Sequence, residues 1–106
     1  MKPVLIIGAA MLVAAAAPAS AKPARCFTTD DGYYECNFVA LDRTGSFRIS
    51  ARSYPTYTLE VDQDGFAFGV LTLAGRSVPL PGQYVRSRED GACWSNPETD
   101  TKICAW

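Results

Sequence analysis

The chain has 106 residues, 10 basic and 11 acidic side chains, a formal charge of −1 and no histidine. That near-neutral balance argues against a nucleic-acid or membrane-surface binder. The missing imidazole removes the commonest general base and the commonest metal ligand.

Residues 1–21 carry the three parts of a secretory signal: Lys2, the apolar run 4–17 and the small-residue sequence Ala19-Ser20-Ala21. The run falls short of the roughly 18 to 20 residues that cross a bilayer as a helix. We therefore expect a leader cleaved after Ala21, leaving no membrane anchor. A lipid anchor is not expected either, because Cys26 follows Pro23-Ala24-Arg25 instead of small apolar residues. Taking 21 residues from 106 leaves 85, room for one domain over 22–106.

That segment holds all four cysteines, Cys26, Cys36, Cys93 and Cys104. An even count in a small exported domain predicts two disulfides. No CxxC pair is present to suggest zinc. We expect Cys26 to pair with Cys36 and Cys93 with Cys104, since each pair flanks its own turn.

In chain order, Asp30-Asp31-Gly32 reads as a turn between two short strands, with Gly32 in the left-handed position. If Thr29 faces Tyr33, Cys26 falls directly opposite Cys36 at a non-hydrogen-bonded pair. The second strand alternates Tyr34, Cys36, Phe38 and Ala40 against Tyr33, Glu35, Asn37 and Val39, the period of a half-buried strand. It ends at a second turn, Asp42-Arg43-Thr44-Gly45. Beyond it Phe47, Ile49 and Ala51 point one way, and Ser46, Arg48, Ser50 and Arg52 form a polar row pointing the other.

After Ser53-Tyr54-Pro55, the residues Tyr57, Leu59 and Val61 alternate with Thr56, Thr58 and Glu60 up to the turn Asp62-Gln63-Asp64-Gly65. The returning segment 66–73 is apolar on both faces, which predicts a central strand covered on both sides. Ala74-Gly75 turns the chain into 76–80, and Pro79 and Pro81 place that strand at a sheet edge. Short strands at 83–87, 92–95 and 102–106 follow, separated by Glu89-Asp90-Gly91 and Asn96-Pro97. No stretch has helical periodicity, repeats or linker composition. The predicted fold is all-β: a small antiparallel β-sandwich or barrel of about seven or eight short strands, stapled by two disulfides.

No residue stands out as catalytic. Histidine is absent and the cysteines are expected to be oxidised, so Ser-His-Asp and Cys-His arrangements cannot form. Asp30, Asp31, Glu35, Glu89 and Asp90 could supply two carboxylates for glycan chemistry, but most sit in turn sequences where aspartate caps the backbone. Asp62-Gln63-Asp64-Gly65 resembles part of a calcium loop without its downstream glutamate, and the hairpin accounts for every residue in it. We expect no cofactor and no metal. The residues that suggest a binding surface are Arg48 and Arg52, which share a strand face and either grip an anion or pair across strands with Glu60, and Tyr33, Trp94 and Trp106. Core packing beside the C-terminal cysteines is the simpler role for both tryptophans.

These features lead us to expect a non-enzymatic exported domain, periplasmic or extracellular, that binds a protein or cell-envelope component. A carboxylate-dependent glycan-active enzyme and a structural or stress-protective envelope protein are the alternatives.

Overall fold

The computed structural model describes residues 21–106; the expected leader, apart from Ala21, lies outside them. The described residues form nine antiparallel strands: β1 (Lys22–Thr28), β2 (Gly32–Ala40), β3 (Phe47–Ser50), β4 (Thr56–Gln63), β5 (Phe66–Leu73), β6 (Arg76–Pro79), β7 (Tyr84–Arg86), β8 (Cys93–Asn96) and β9 (Thr101–Ala105). From β1 to β5 each strand pairs with the next, and β7, β8 and β9 continue the meander from β5. The last strand then pairs with the first through Cys26↔Ala105, Phe27↔Cys104 and Thr28↔Ile103. Eight strands thus close a barrel, and closure decides between the two expected architectures. The ninth, β6, pairs only with β5 and is exposed along its length, the edge position that Pro79 requires.

The interior is built by the period-2 alternation. Ile49 and Leu59 from β3 and β4, Tyr84 from β7, Trp94 from β8 and Ile103 from β9 are all buried in one cluster with Cys26, Cys36 and Tyr34. Arg86 closes one end, its guanidinium carbon 4.8 Å from the centre of the Trp94 ring. The barrel is therefore filled with side chains and not hollow.

Three expectations need correction. Strand β5 is covered on one side only: Ala67 is buried, whereas Phe68 is 49% exposed on the outer wall. A single closed sheet has one inside, so the apolar outer face of β5 meets solvent. Ser46 does not join the exposed polar row; it is buried, and its Oγ accepts a hydrogen bond from the Val61 amide at 2.8 Å. Finally, the first hairpin turns one residue early, because the Asp31 amide donates to Thr28 Oγ1 at 3.1 Å and sets Thr28 opposite Gly32. Cys26 therefore faces Tyr34, and it reaches Cys36 diagonally with a Cα separation of 5.9 Å. The expected pairings hold for both disulfides, and Cys93 does lie directly opposite Cys104, 4.0 Å away. Each bridge closes a short loop, worth on the order of 3 kcal/mol by loop-closure entropy.

Strands β6 and β7 are two halves of one return path, broken at Pro81-Gly82. Asn96 holds that break from inside. Its Nδ2 donates to the Pro81 carbonyl at 2.7 Å, while Oδ1 accepts from the amides of Glu98 at 3.0 Å and Thr99 at 3.3 Å. One buried amide therefore ties the β6–β7 break to the β8–β9 turn. Gly82 is at φ 79°, and a Cβ there would sit 2.7 Å from Asn96 Oδ1. Since Asn96 is pinned by three bonds, it cannot yield.

Gly82→Ala should lower stability by about 2 kcal/mol, combining the left-handed backbone cost with the collision. Gly91→Ala is the control, because nothing lies within 4 Å of its would-be Cβ. Urea titration of both variants checks this, and equal midpoints would contradict the role given to Asn96.

Burial also leaves its mark on the core tyrosines. The Tyr34 hydroxyl is buried without a hydrogen-bond partner, and its pKa is pushed up to about 12, by desolvation first and then by the nearby Asp31 carboxylate. Because the folded pKa exceeds the unfolded value of 10.0, the fold's preference for the neutral phenol is fully present below pH 10 and disappears as pH rises towards 12. Tyrosinate absorbance followed against pH should show Tyr34 ionising well above pH 10, together with loss of tertiary signal. In Tyr34→Phe that late rise should lose one tyrosine's amplitude, while the contribution of Tyr57, which burial also raises, remains.

Candidate functional site: an aromatic groove on the outer wall

The β1–β2 register makes Phe27 and Tyr33 direct partners on the outside of the barrel, with ring centroids 4.8 Å apart. Phe27 also faces Cys104, which faces Cys93. A row of Tyr33, Phe27 and the disulfide thus crosses four strands. Both sulfur-bearing residues are buried although they lie outside the main core, because this aromatic row covers them.

Trp106 completes the cover. Its backbone extends the barrel seam by one reciprocal pair with Arg25, at 2.8 and 3.1 Å. That places its ring 6.0 Å from Tyr33, with 25° between the planes. The indole Nε1 donates to Asp90 Oδ2 at 2.9 Å, and Asp90 Oδ1 in turn accepts from the Ala92 amide at 3.0 Å. Ser87 Oγ accepts from the Glu89 and Asp90 amides, so the acidic turn is braced by its own residues. Cations stand over the rings: the Arg25 guanidinium carbon is 5.1 Å from the Tyr33 centroid, and Lys102 Nζ 5.5 Å from that of Phe27.

The result is a groove of about 270 Å³. Phe27 and the Cys93–Cys104 bridge lie beneath it, Tyr33 and Trp106 border it, and Glu89, Asp90, Ser95 and Lys102 supply polar groups. Tyr33 is 61% and Trp106 46% exposed. The hydrogen bond from the Ala92 amide, then that from the Trp106 indole, and the Lys102 charge hold the Asp90 carboxyl below its ordinary pKa. The Asp90 carboxylate at the groove's border is therefore ionised at neutral pH.

Of the residues singled out in the sequence, Tyr33 and Trp106 come together here. Trp94 does not; it is 2% exposed in the barrel interior. Arg48 and Arg52 are exposed but do not line the groove, and Arg48 lies opposite Thr58, while Glu60 lies opposite Phe68. Phe27, Arg25 and Lys102 were not singled out beforehand. Alternation alone puts Phe27 on the face opposite Cys26, but nothing local brings β9 beside it.

The remaining acids are scattered or engaged. Asp31 Oδ2 accepts from Thr28 Oγ1 at 2.9 Å and from the Tyr57 hydroxyl at 3.1 Å, beside the opposite mouth of the barrel. Asp42 Oδ1 accepts from the Thr44 hydroxyl and the Thr44 and Ser46 amides, which lowers its pKa to about 2. Among the described residues, no group of three or more His, Cys, Asp or Glu side chains could hold a metal ion. The cavity at the mouth, between Thr28, Tyr57 and Tyr84, has only about 90 Å³. That is too small for most small-molecule ligands.

Since the folded pKa of Asp90 is depressed, its link to Trp106 is complete above the ordinary aspartate range and is lost as pH falls through the lower folded value. The Trp106 indole proton, followed by NMR, should hold its resonance down to about pH 4 and move only below it. Trp94 serves as the internal reference, and a Trp106 midpoint above pH 4 would disprove the link. No family model, curated protein or solved structure gives a significant match to this chain, so what the groove does has to be argued from its own residues.

Proposed function

We propose that this chain is a non-enzymatic binding domain that works outside the cytoplasm, in a periplasm or the extracellular space, and holds a protein or cell-envelope partner in the Tyr33–Trp106 groove. Two disulfides and no free cysteine in a domain of this size are consistent with an oxidising, exported environment.

One observation carries the reading. Two large aromatic rings, far apart in sequence, are brought side by side and left about half in water, although the barrel has an interior for aromatic side chains. Aromatic residues of this kind supply most of the energy at binding hot spots. Moreover, the Asp90 hydrogen bond and the disulfide floor hold the rings in place before any partner arrives. A pre-ordered surface loses less entropy on binding.

The glycan-active enzyme draws less support. Asp31 and Asp90 are already hydrogen-bond acceptors for neighbouring groups, and an ionised Asp90 has no proton to give at neutral pH. A structural protein without a ligand would not require the exposed pair.

The test is affinity capture from envelope extract at low salt. The wild type and an Arg48→Ala/Arg52→Ala variant should retain the same stoichiometric partner, and Tyr33→Ala/Trp106→Ala should recover about tenfold less, the loss of a hot-spot pair. Near-UV circular dichroism confirms that each variant is folded. Equal capture by the aromatic double variant would move the site elsewhere, and no capture by any form would favour the structural role.

A further inference from the structure

The groove's chemistry narrows the class of partner, provided that the binding reading above holds. From its combination of stacking surfaces and charged acceptors, we infer that it takes a carbohydrate: one or two hexopyranose rings of an envelope glycan.

A sugar ring has apolar C–H faces and a girdle of hydroxyls. Trp106 and Tyr33, the latter with Arg25 over one face, offer apolar ring surface at the border, and Phe27, with Lys102 over it, supports them from beneath. Around them stand groups that pair with hydroxyls: Glu89 and Asp90 as acceptors, Lys102 as a donor, Ser87 as a donor because its oxygen already accepts two amides, and Ser95 as both. An ionised carboxylate has about four acceptor positions. The Trp106 indole and the Ala92 amide occupy two on Asp90, so two remain for sugar hydroxyls.

The rival partners fit less well. An apolar side chain pressed into the groove would strip water from Glu89, Asp90 and Lys102 without replacing its hydrogen bonds, an uncompensated cost. Saccharide hydroxyls replace that water one for one. A nucleic acid would bring phosphates against two carboxylates. Nor can a planar base enter between the aromatic rings, since their centroids are 6.0 Å apart and a third ring needs about 7 Å, twice a carbon contact distance. The ligand must lie across the exposed faces, which suits a puckered ring. At about 270 Å³ the groove is at the small end of ligand sites, a size that matches one or two sugar rings better than the broad area of a protein interface.

The experiment uses the folded, oxidised domain with three probes: chitohexaose, cellohexaose and muramidase-solubilised peptidoglycan fragments. Each is titrated by NMR and calorimetry. At least one probe should shift the Trp106 indole and the backbone resonances of Tyr33 and Asp90, leaving the Trp94 indole still. Its affinity should be nearly independent of salt and fall about tenfold in Trp106→Ala and, as a second variant, in Tyr33→Ala. If no probe moves these resonances while a protease-sensitive envelope partner does, the carbohydrate assignment is overturned and groove binding stands. If the probes instead shift residues of the barrel mouth, such as Thr28 and Tyr84, the carbohydrate assignment to the groove fails, and groove binding is then judged by affinity capture alone.

Discussion

The pairing of β9 with β1 is the contact on which everything else in this domain leans. It joins the first and last strands of the described residues and turns a meander with two open edges into a ring. Closure gives the inward side chains of every strand a common interior, so Trp94, Ile49 and Leu59 can be buried by a single sheet. The seam is also where the covalent links converge. Cys26–Cys36 ties β1 to β2 on one side, and Cys93–Cys104 ties β9 to β8 on the other. Neither disulfide crosses the seam, which is held by backbone hydrogen bonds and packing. The bridges stiffen the two hairpins that must meet, and thereby reduce the entropy lost when they do.

Closing a small barrel forces polar groups inward, and the fold satisfies nearly all of them. Asn96 uses both ends of its amide to connect two breaks in the sheet. Thr28, Asp31 and Tyr57 form a chain of hydrogen bonds beside one mouth. Tyr34 is the exception: its hydroxyl has no protein partner, and its ring stacks on Tyr54 with 4.1 Å between centroids. Stacking and burial of the ring offset the cost of the lone hydroxyl there.

The same seam creates the groove. The Arg25–Trp106 backbone pair is its last rung, and that rung carries the indole to Tyr33 and to Asp90. Beneath, the disulfide of β8 and β9 and the Phe27 ring seal the wall. The outer face of β5, including Phe68 opposite Glu60, is also apolar and exposed, but it has no stacked aromatic pair like Tyr33 and Trp106 among the described residues. What distinguishes the groove is the combination of aromatic area with ionised and hydroxyl groups that are already oriented.

By itself, the sequence determined what depends on neighbouring residues. Alternation marked the strands and their faces, glycine and aspartate marked the turns, Pro79 marked the edge, and two cysteine pairs flanking local turns led to the right disulfides. Tertiary structure alone decided barrel over sandwich, the exposure of Phe68, the diagonal register of Cys26, and the meeting of Tyr33 with Trp106. The division has a physical cause. Period and turn chemistry are set by φ, ψ and burial within a few residues, whereas the partner of a terminal strand is set by the free energy of closing the entire ring, which no local window of residues contains.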